Sequence, residues 1–117
     1  MTKPVGPYTP IVRTDGWLVC SGQIALRDGS LVDGSVGEQV DQALANLRDL
    51  LATEGAALDQ VIKTTVFLVS MDDYAEMNEH YTAAFGDHRP ARSAIAVAAL
   101  PLGARVEIEA WARVGAN

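Results

Sequence analysis

Cysteine occurs once in this sequence, at Cys20, and histidine twice, at His80 and His88. A single thiol excludes an intramolecular disulfide framework. The two histidines lie at or just after a polar helix end, and no HxxxH-type spacing joins them to Cys20, so no metal site is expected. No GxGxxG and no P-loop pattern is present, and no cofactor is expected. Ser21 sits in Ser21-Gly22-Gln23 rather than in a nucleophile elbow, which argues against covalent serine catalysis. Cys20 reads as a small buried thiol.

Basic charge is also scarce. Lys and Arg total 9 against 15 for Asp and Glu, the net charge is −6, and no basic run occurs. Broad binding of nucleic acid needs many neutralised phosphates, so no nucleic-acid partner is expected. An anionic membrane surface is disfavoured for the same reason. No apolar run approaches the roughly 18 residues of a membrane span. Met1-Thr2-Lys3-Pro4 carries no apolar stretch of the signal-peptide kind, so the expected location is cytoplasmic.

Aromatic residues make up only 6%, although hydrophobic residues reach 49%, mostly Ala, Val and Leu. The length predicts one domain over residues 1–117. A chain this short buries a modest core and has apolar surface to hide in a partner.

Residues 11–13 and 17–21, separated by Asp15-Gly16, read as a β-hairpin. A short strand is expected at 23–26, and tight turns at Asp28-Gly29 and Asp33-Gly34. Ser35-Val36-Gly37-Glu38 matches a capping box and should open a helix. Val40, Ala43, Leu44, Leu47, Leu50 and Leu51 then form its buried face, and Gly55 its stop. Residues 61–69 read as an interior strand. Asp73 should cap a second helix with the stripe Tyr74, Met77, Tyr81 and Phe85, ended by Gly86. Strands follow at 92–98 and 104–114, with a turn at Leu100-Pro101-Leu102-Gly103. The expectation is an α+β fold with two helices on one face of a mixed sheet. The other face then needs a cover, and a closed homo-oligomer supplies one.

Arg92 opens an otherwise small and apolar strand just after Pro90-Ala91. Its planar fork either grips a ligand carboxylate or forms a structural salt bridge. Glu107 and Glu109, two apart in a strand, share one face, which is either solvated or part of a polar cleft. Two acids there, one held ionised by an arginine, could polarise a water. Asn78 shares a side of the second helix with Met77 and Tyr81. Its amide either pins a loop or lines a site, and if buried it should be hydrogen-bonded. Gly6-Pro7-Tyr8 is a rigid turn whose phenol packs the N-terminal arm or faces a site.

Gly6-Pro7-Tyr8, Ser21-Gly22-Gln23, Lys63-Thr64-Thr65-Val66, Asn78 before Tyr81, Pro90-Ala91-Arg92-Ser93, Leu100-Pro101 and Glu107-Ile108-Glu109-Ala110 occur in one order across the chain. As an ordered set they resemble the RidA/YjgF family of reactive-intermediate deaminases. The resemblance implies a chorismate-mutase-like fold and a homotrimer with clefts between subunits. It implies hydrolysis of an enamine or imine, such as 2-aminoacrylate, to a 2-keto acid and ammonia. Arg92 would clasp the substrate carboxylate, and Glu107 would orient the attacking water. Tyr8, Ser21 and Asn78 would line the cleft, and backbone groups near Gly22 and Ala94 would position the ligand. Such an imine is electrophilic by itself, so positioning and one polarised water suffice. The sequence departs from the family at Ala94, where the deaminating branch often has Cys. It departs also at the short loop 86–89, where Arg89 replaces an aromatic. A trimer of the same family that binds small carboxylates without turnover is the alternative; an endoribonuclease fits the acidic balance less well.

Overall fold

The computed structural model describes residues 6–115. The N-terminal tetrapeptide on which the absence of a leader was read lies outside the described residues. The elements are β1 (Ile11–Thr14), β2 (Trp17–Gln23), β3 (Leu26–Arg27), β4 (Ser30–Leu31), α1 (Val36–Ala52), β5 (Val61–Leu68), α2 (Tyr74–Phe85), β6 (Ala91–Ala96) and β7 (Val106–Arg113). A five-stranded mixed sheet has the order β1-β2-β7-β5-β6. Its pairs are antiparallel except β5 with β6. A parallel pair needs a crossover connection, and α2 provides it. The α+β class with two helices and a mixed sheet is therefore as expected. No helix among the described residues is long and apolar enough to cross a membrane.

Local chemistry explains the boundaries. Asp15 and Gly16 at φ 47° and 81° make the β1–β2 hairpin turn, and Asp28 and Gly29 at 53° and 84° make the turn of β3–β4. These are the left-handed pairs that tight hairpins require. Ser35 Oγ accepts from the Glu38 N–H, and the Glu38 carboxylate accepts from the Ser35 N–H, which completes the capping box. At the far end the Ala56 N–H reaches the Leu51 carbonyl and the Gly55 N–H the Ala52 carbonyl, with Gly55 at φ 74°. That is the Schellman arrangement a C-terminal glycine permits.

The buried face of α1 meets Leu18 and Cys20 of β2, Val66 and Leu68 of β5, and Ile108, Ala110 and Ala112 of β7 in one core. Met77, Tyr81 and Phe85 of α2 complete it. The alternate residues of the strands point away from the helices. Val12, Ile95 and Trp111 lie on that side at 46%, 46% and 45% exposure. Trp17 stacks edge-on against Trp111 there, with Arg113 over its ring. No helix among the described residues covers this face.

Five expectations need correction. The strand expected at 23–26 does not form. Gln23 ends β2, and the Asn46 amide of α1 donates to the Ile24 and Leu26 carbonyls instead. Those carbonyls are captured by the helix, so the chain turns and restarts as β3. Asp33-Gly34 is a bend leading into α1, without the positive φ of a tight glycine turn. Asp73 does not cap α2 through its side chain. Its carboxylate pairs with Arg105 at 3.2 Å, and Ser70 caps a single 3-10 turn that leads into the helix. Tyr74, placed on the buried stripe, is 39% exposed. Finally, the last two strands are shorter than expected, Ala91–Ala96 and Val106–Arg113.

Candidate functional site

The first cluster is built by a bulge. β2 pairs with β7 in regular steps down to Cys20 opposite Ala110, then resumes at Gln23 opposite Ile108. Three steps on β2 match two on β7, so Ser21 and Gly22 share the extra residue. A bulge bends its strand and leaves one residue outside the ladder. Here it opens the sheet over Glu107 and Glu109. Tyr8, Ser21, Gly22, Ile24, Pro101, Glu107 and Glu109 surround a cavity of about 310 Å³.

The absence of a side chain at Gly22 makes room for the Glu107 carboxylate. A Cβ at this position would fall 2.8 Å from Glu107 Cδ and still closer to its carboxylate oxygen. The Glu107 carboxylate therefore lies directly over the Gly22 backbone. Ser21 holds the wall in place: its N–H donates to the Pro10 carbonyl at 2.8 Å and its hydroxyl to the Thr9 carbonyl at 2.7 Å. Both bonds tether the arm that carries Tyr8. Burial raises the Glu107 carboxyl above its ordinary range, and the neighbouring charge of Glu109 raises it further. No arginine or lysine forms an ion pair with either acid among the described residues. Desolvation without a counter-charge favours the protonated acid.

The second cluster lies at the β6 edge. Arg92 sits beside Thr64 of β5 in the parallel register, on the helix-covered side of the sheet. Its guanidinium stands 4.9 Å from the Tyr81 ring centroid and 5.6 Å from that of Tyr74. Its Nη2 donates to Tyr74 Oη at 3.1 Å, and its Nη1 lies 3.7 Å from Met77 Sδ. Tyr81 is fixed from below by a 2.7 Å hydrogen bond between its hydroxyl and Thr64 Oγ1. Arg92 thus makes no salt bridge among the described residues; aromatic faces support it without neutralising it. Ala94, two residues on, packs its methyl against the main core.

The structural salt bridge considered for Arg92 is therefore absent among the described residues, and the solvated face considered for the acids is a cavity. Four of the site residues named from the sequence, Tyr8, Ser21, Gly22 and Glu107, come together. Arg92, Asn78 and Ala94 do not join them. Arg92 is on the opposite face of the sheet from Glu107, with β5 between their strands. Two strand spacings alone separate them by roughly 10 Å. Asn78 lies one helical turn from Tyr74 and less than one from Tyr81, and its Oδ1 is buried without a hydrogen-bond partner among the described residues. The expectation that a buried Asn78 amide would be satisfied is not met at its Oδ1 among the described residues. Tyr81 is core, as the helical spacing predicts, and together with the exposed Tyr74 it forms the seat of Arg92. Glu109 had been weighed with Glu107, and its i, i+2 spacing was the signal that it shares the cavity.

The family model described as Endoribonuclease L-PSP matches residues 1–114. The chain belongs to this family, the RidA/YjgF proteins. Among its RidA/YjgF relatives, the mouse protein named 2-iminobutanoate/2-iminopropanoate deaminase is 46% identical over 113 residues, covering 95% of this chain and 84% of the relative. The mitochondrial mmf1 protein of Schizosaccharomyces pombe is 41% identical over 107 residues. The match spans 89% of this chain and 66% of mmf1. A solved structure of Escherichia coli TdcF with bound serine superposes with a TM-score of 0.90 at 32% identity, covering 96% of this chain and 91% of that one. The RidA/YjgF family therefore includes proteins named as imine deaminases at this level of similarity.

Proposed function

We propose that this protein hydrolyses 2-imino acids, the tautomers of 2-enamino acids such as 2-aminoacrylate, to 2-keto acids and ammonia. The cleft would be completed by a second copy of the chain, within the chorismate-mutase-like homotrimer that the family resemblance implies. One observation carries the reading. An acidic cavity around Glu107 and an arginine with no carboxylate partner among the described residues lie on opposite faces of one sheet. A substrate of a few atoms reaches both only if a neighbouring copy brings its Arg92 to the Glu107 cavity. The uncovered apolar face supports such packing.

The chemistry follows from the two clusters. Arg92 takes the substrate carboxylate through charge-assisted bonds. Glu107 takes a proton from water as the water oxygen adds to the imine carbon and passes that proton to the imine nitrogen, giving a carbinolamine. It then takes the carbinolamine hydroxyl proton and delivers it to the nitrogen, which leaves as ammonia while the C=O forms; a carboxyl raised above its ordinary range suits this two-way transfer. The net change is imine plus water to ketone plus ammonia. Tyr8, Ser21 and the Gly22 backbone wall the cavity, and the Asn78 amide oxygen offers an acceptor that has no partner among the described residues.

Ammonia release from 2-aminoacrylate generated in the cuvette tests this, together with light scattering, which should give about three chain masses. A monodisperse monomer at micromolar concentration, or no rate above the uncatalysed one, would remove the proposal. The second reading is carriage of a small carboxylate without turnover. The relative named as TdcF with bound serine favours it, since serine is not an imine. Calorimetric binding of serine or 2-oxobutanoate with no ammonia release would establish that reading instead. RNA cleavage gains no support from a net charge of −6 without a basic run.

A further inference from the structure

Hydrogen-bond capacity singles out one residue at the β6 edge. A guanidinium has only donors, so in the 3.1 Å contact between Arg92 Nη2 and Tyr74 Oη the phenol oxygen must accept. The phenol's own proton is then left over, adjacent to the arginine. Tyr74 makes no other side-chain hydrogen bond among the described residues and is 39% exposed, although it was expected in the core. Tyr81, the other ring under Arg92, is different: it is 5% exposed and its hydroxyl is committed to Thr64. One tyrosine is thus purely a support, and the other, partly exposed, is a support with a spare donor.

We infer that Tyr74 is a specificity-determining residue that donates its phenolic proton to the same anion Arg92 grips. The inference rests on the function proposed above and assigns it a further part. Arg92 and Tyr74 together present an N–H and an O–H from two chemically distinct groups held at hydrogen-bond distance from each other. That pair matches the two oxygens of a carboxylate, one to each donor. A neutral amide, with one carbonyl oxygen and an NH₂ group that itself only donates, satisfies only one of the two donors. Tyr74 therefore selects for a carboxylate over its amide, beyond the selection Arg92 makes by charge.

Tyr74→Phe tests this, because it keeps the ring that supports Arg92 and removes only the hydroxyl. Binding of 2-oxobutanoate and of its neutral amide is measured by calorimetry, with KM and kcat from the ammonia assay and a thermal melt to show the fold is kept. In the wild type the carboxylate should bind better than the amide. Tyr74→Phe should weaken the carboxylate by on the order of tenfold, raise KM similarly, and leave kcat and amide binding nearly unchanged. Tyr81→Phe is the control: it removes a hydroxyl committed elsewhere, so it should lower the melting temperature while the carboxylate-to-amide ratio stays at the wild-type value. Wild-type carboxylate affinity in Tyr74→Phe, or equal loss for carboxylate and amide, would overturn the inference and leave the deaminase reading standing. A wild type that neither binds 2-oxobutanoate nor releases ammonia would overturn both.

Discussion

The two clusters solve opposite electrostatic problems. Around Glu107, two acids share a cavity with no cation paired to them among the described residues, and burial holds the Glu107 carboxyl above its usual range. Around Arg92, a guanidinium sits on two tyrosine rings and a methionine sulfur with no acid paired to it among the described residues. A structural ion pair would have quenched either group. Each half keeps its charge or its proton unspent, which leaves it available to a substrate or to another copy of the chain. The difference also shows in how they are built: a backbone bulge shapes the acidic half, whereas side-chain stacking shapes the basic one.

Substitutions can break either half separately. The largest expected effect is at Arg92. Losing two charge-assisted bonds of about 1.5–3 kcal/mol each would cost on the order of 10²–10⁴ in kcat/KM for Arg92→Ala. Arg92→Lys should recover only part of this, since an ammonium lacks both the fork and the planar stack. Steady-state ammonia release decides it, and wild-type rates in a folded Arg92→Ala variant would place the site elsewhere. Next is Gly22→Ala. Its Cβ cannot coexist with the present Glu107 position. Displacing that carboxylate by about 1 Å should lower kcat roughly 10²-fold. The variant should still fold, because the bulge lies at the cavity wall and not in the core.

Two smaller effects sharpen the comparison. Glu107→Gln should lower kcat more than it raises KM, and it should also alter the pH dependence of stability. The folded-state affinity of Glu107 for a proton is raised, so its favourable contribution is complete below the unfolded carboxylate range and is lost as pH rises through the folded value. Thermal melts should therefore show Glu107→Gln gaining on the wild type above that value and losing the advantage under acid conditions. Glu109→Gln removes a charge that raises Glu107, so the acidic limb of the kcat/KM profile should move to lower pH. An unmoved limb would mean that Glu107 does not titrate in turnover. The smallest functional effect belongs to Cys20, buried in the core with its thiol pushed up to about 11 by desolvation. Cys20→Ser should cost roughly 1–3 kcal/mol in a denaturant titration while turnover holds. Abolished turnover at full stability would make the thiol catalytic.

The acidic half was the more legible in sequence. Glu107 and Glu109 announce a shared face by strand parity alone, and Ser21-Gly22 lies in a motif of the resemblance. The bulge itself was not visible, because one extra residue in a strand leaves the apolar alternation of Trp17 to Cys20 undisturbed. In the basic half, the helical spacing placed Met77, Tyr81 and Phe85 in the core correctly but not Tyr74. Spacing alone did not separate the tyrosine buried beneath Arg92 from the one left exposed beside it at the sheet edge. The Asp73 cap failed for a related reason. A helix-capping pattern describes local options, and the Arg105 guanidinium, 32 residues away, outbid the local backbone for that carboxylate.

By itself the sequence determined the features set by local chemistry. These are the hairpin at Asp15-Gly16, the capping box at Ser35, the Gly55 stop, the apolar face of α1 and the parity of Glu107 and Glu109. Each depends on residues within a few positions of one another, where periodicity and backbone preference dominate. Only the tertiary structure decided what depends on which distant elements meet. It put the Glu107 carboxylate over Gly22, Arg92 onto the rings of Tyr74 and Tyr81, and the two clusters on opposite faces of one sheet. Strand order and the crossover through α2 set those relations, and no local pattern along the chain encodes them.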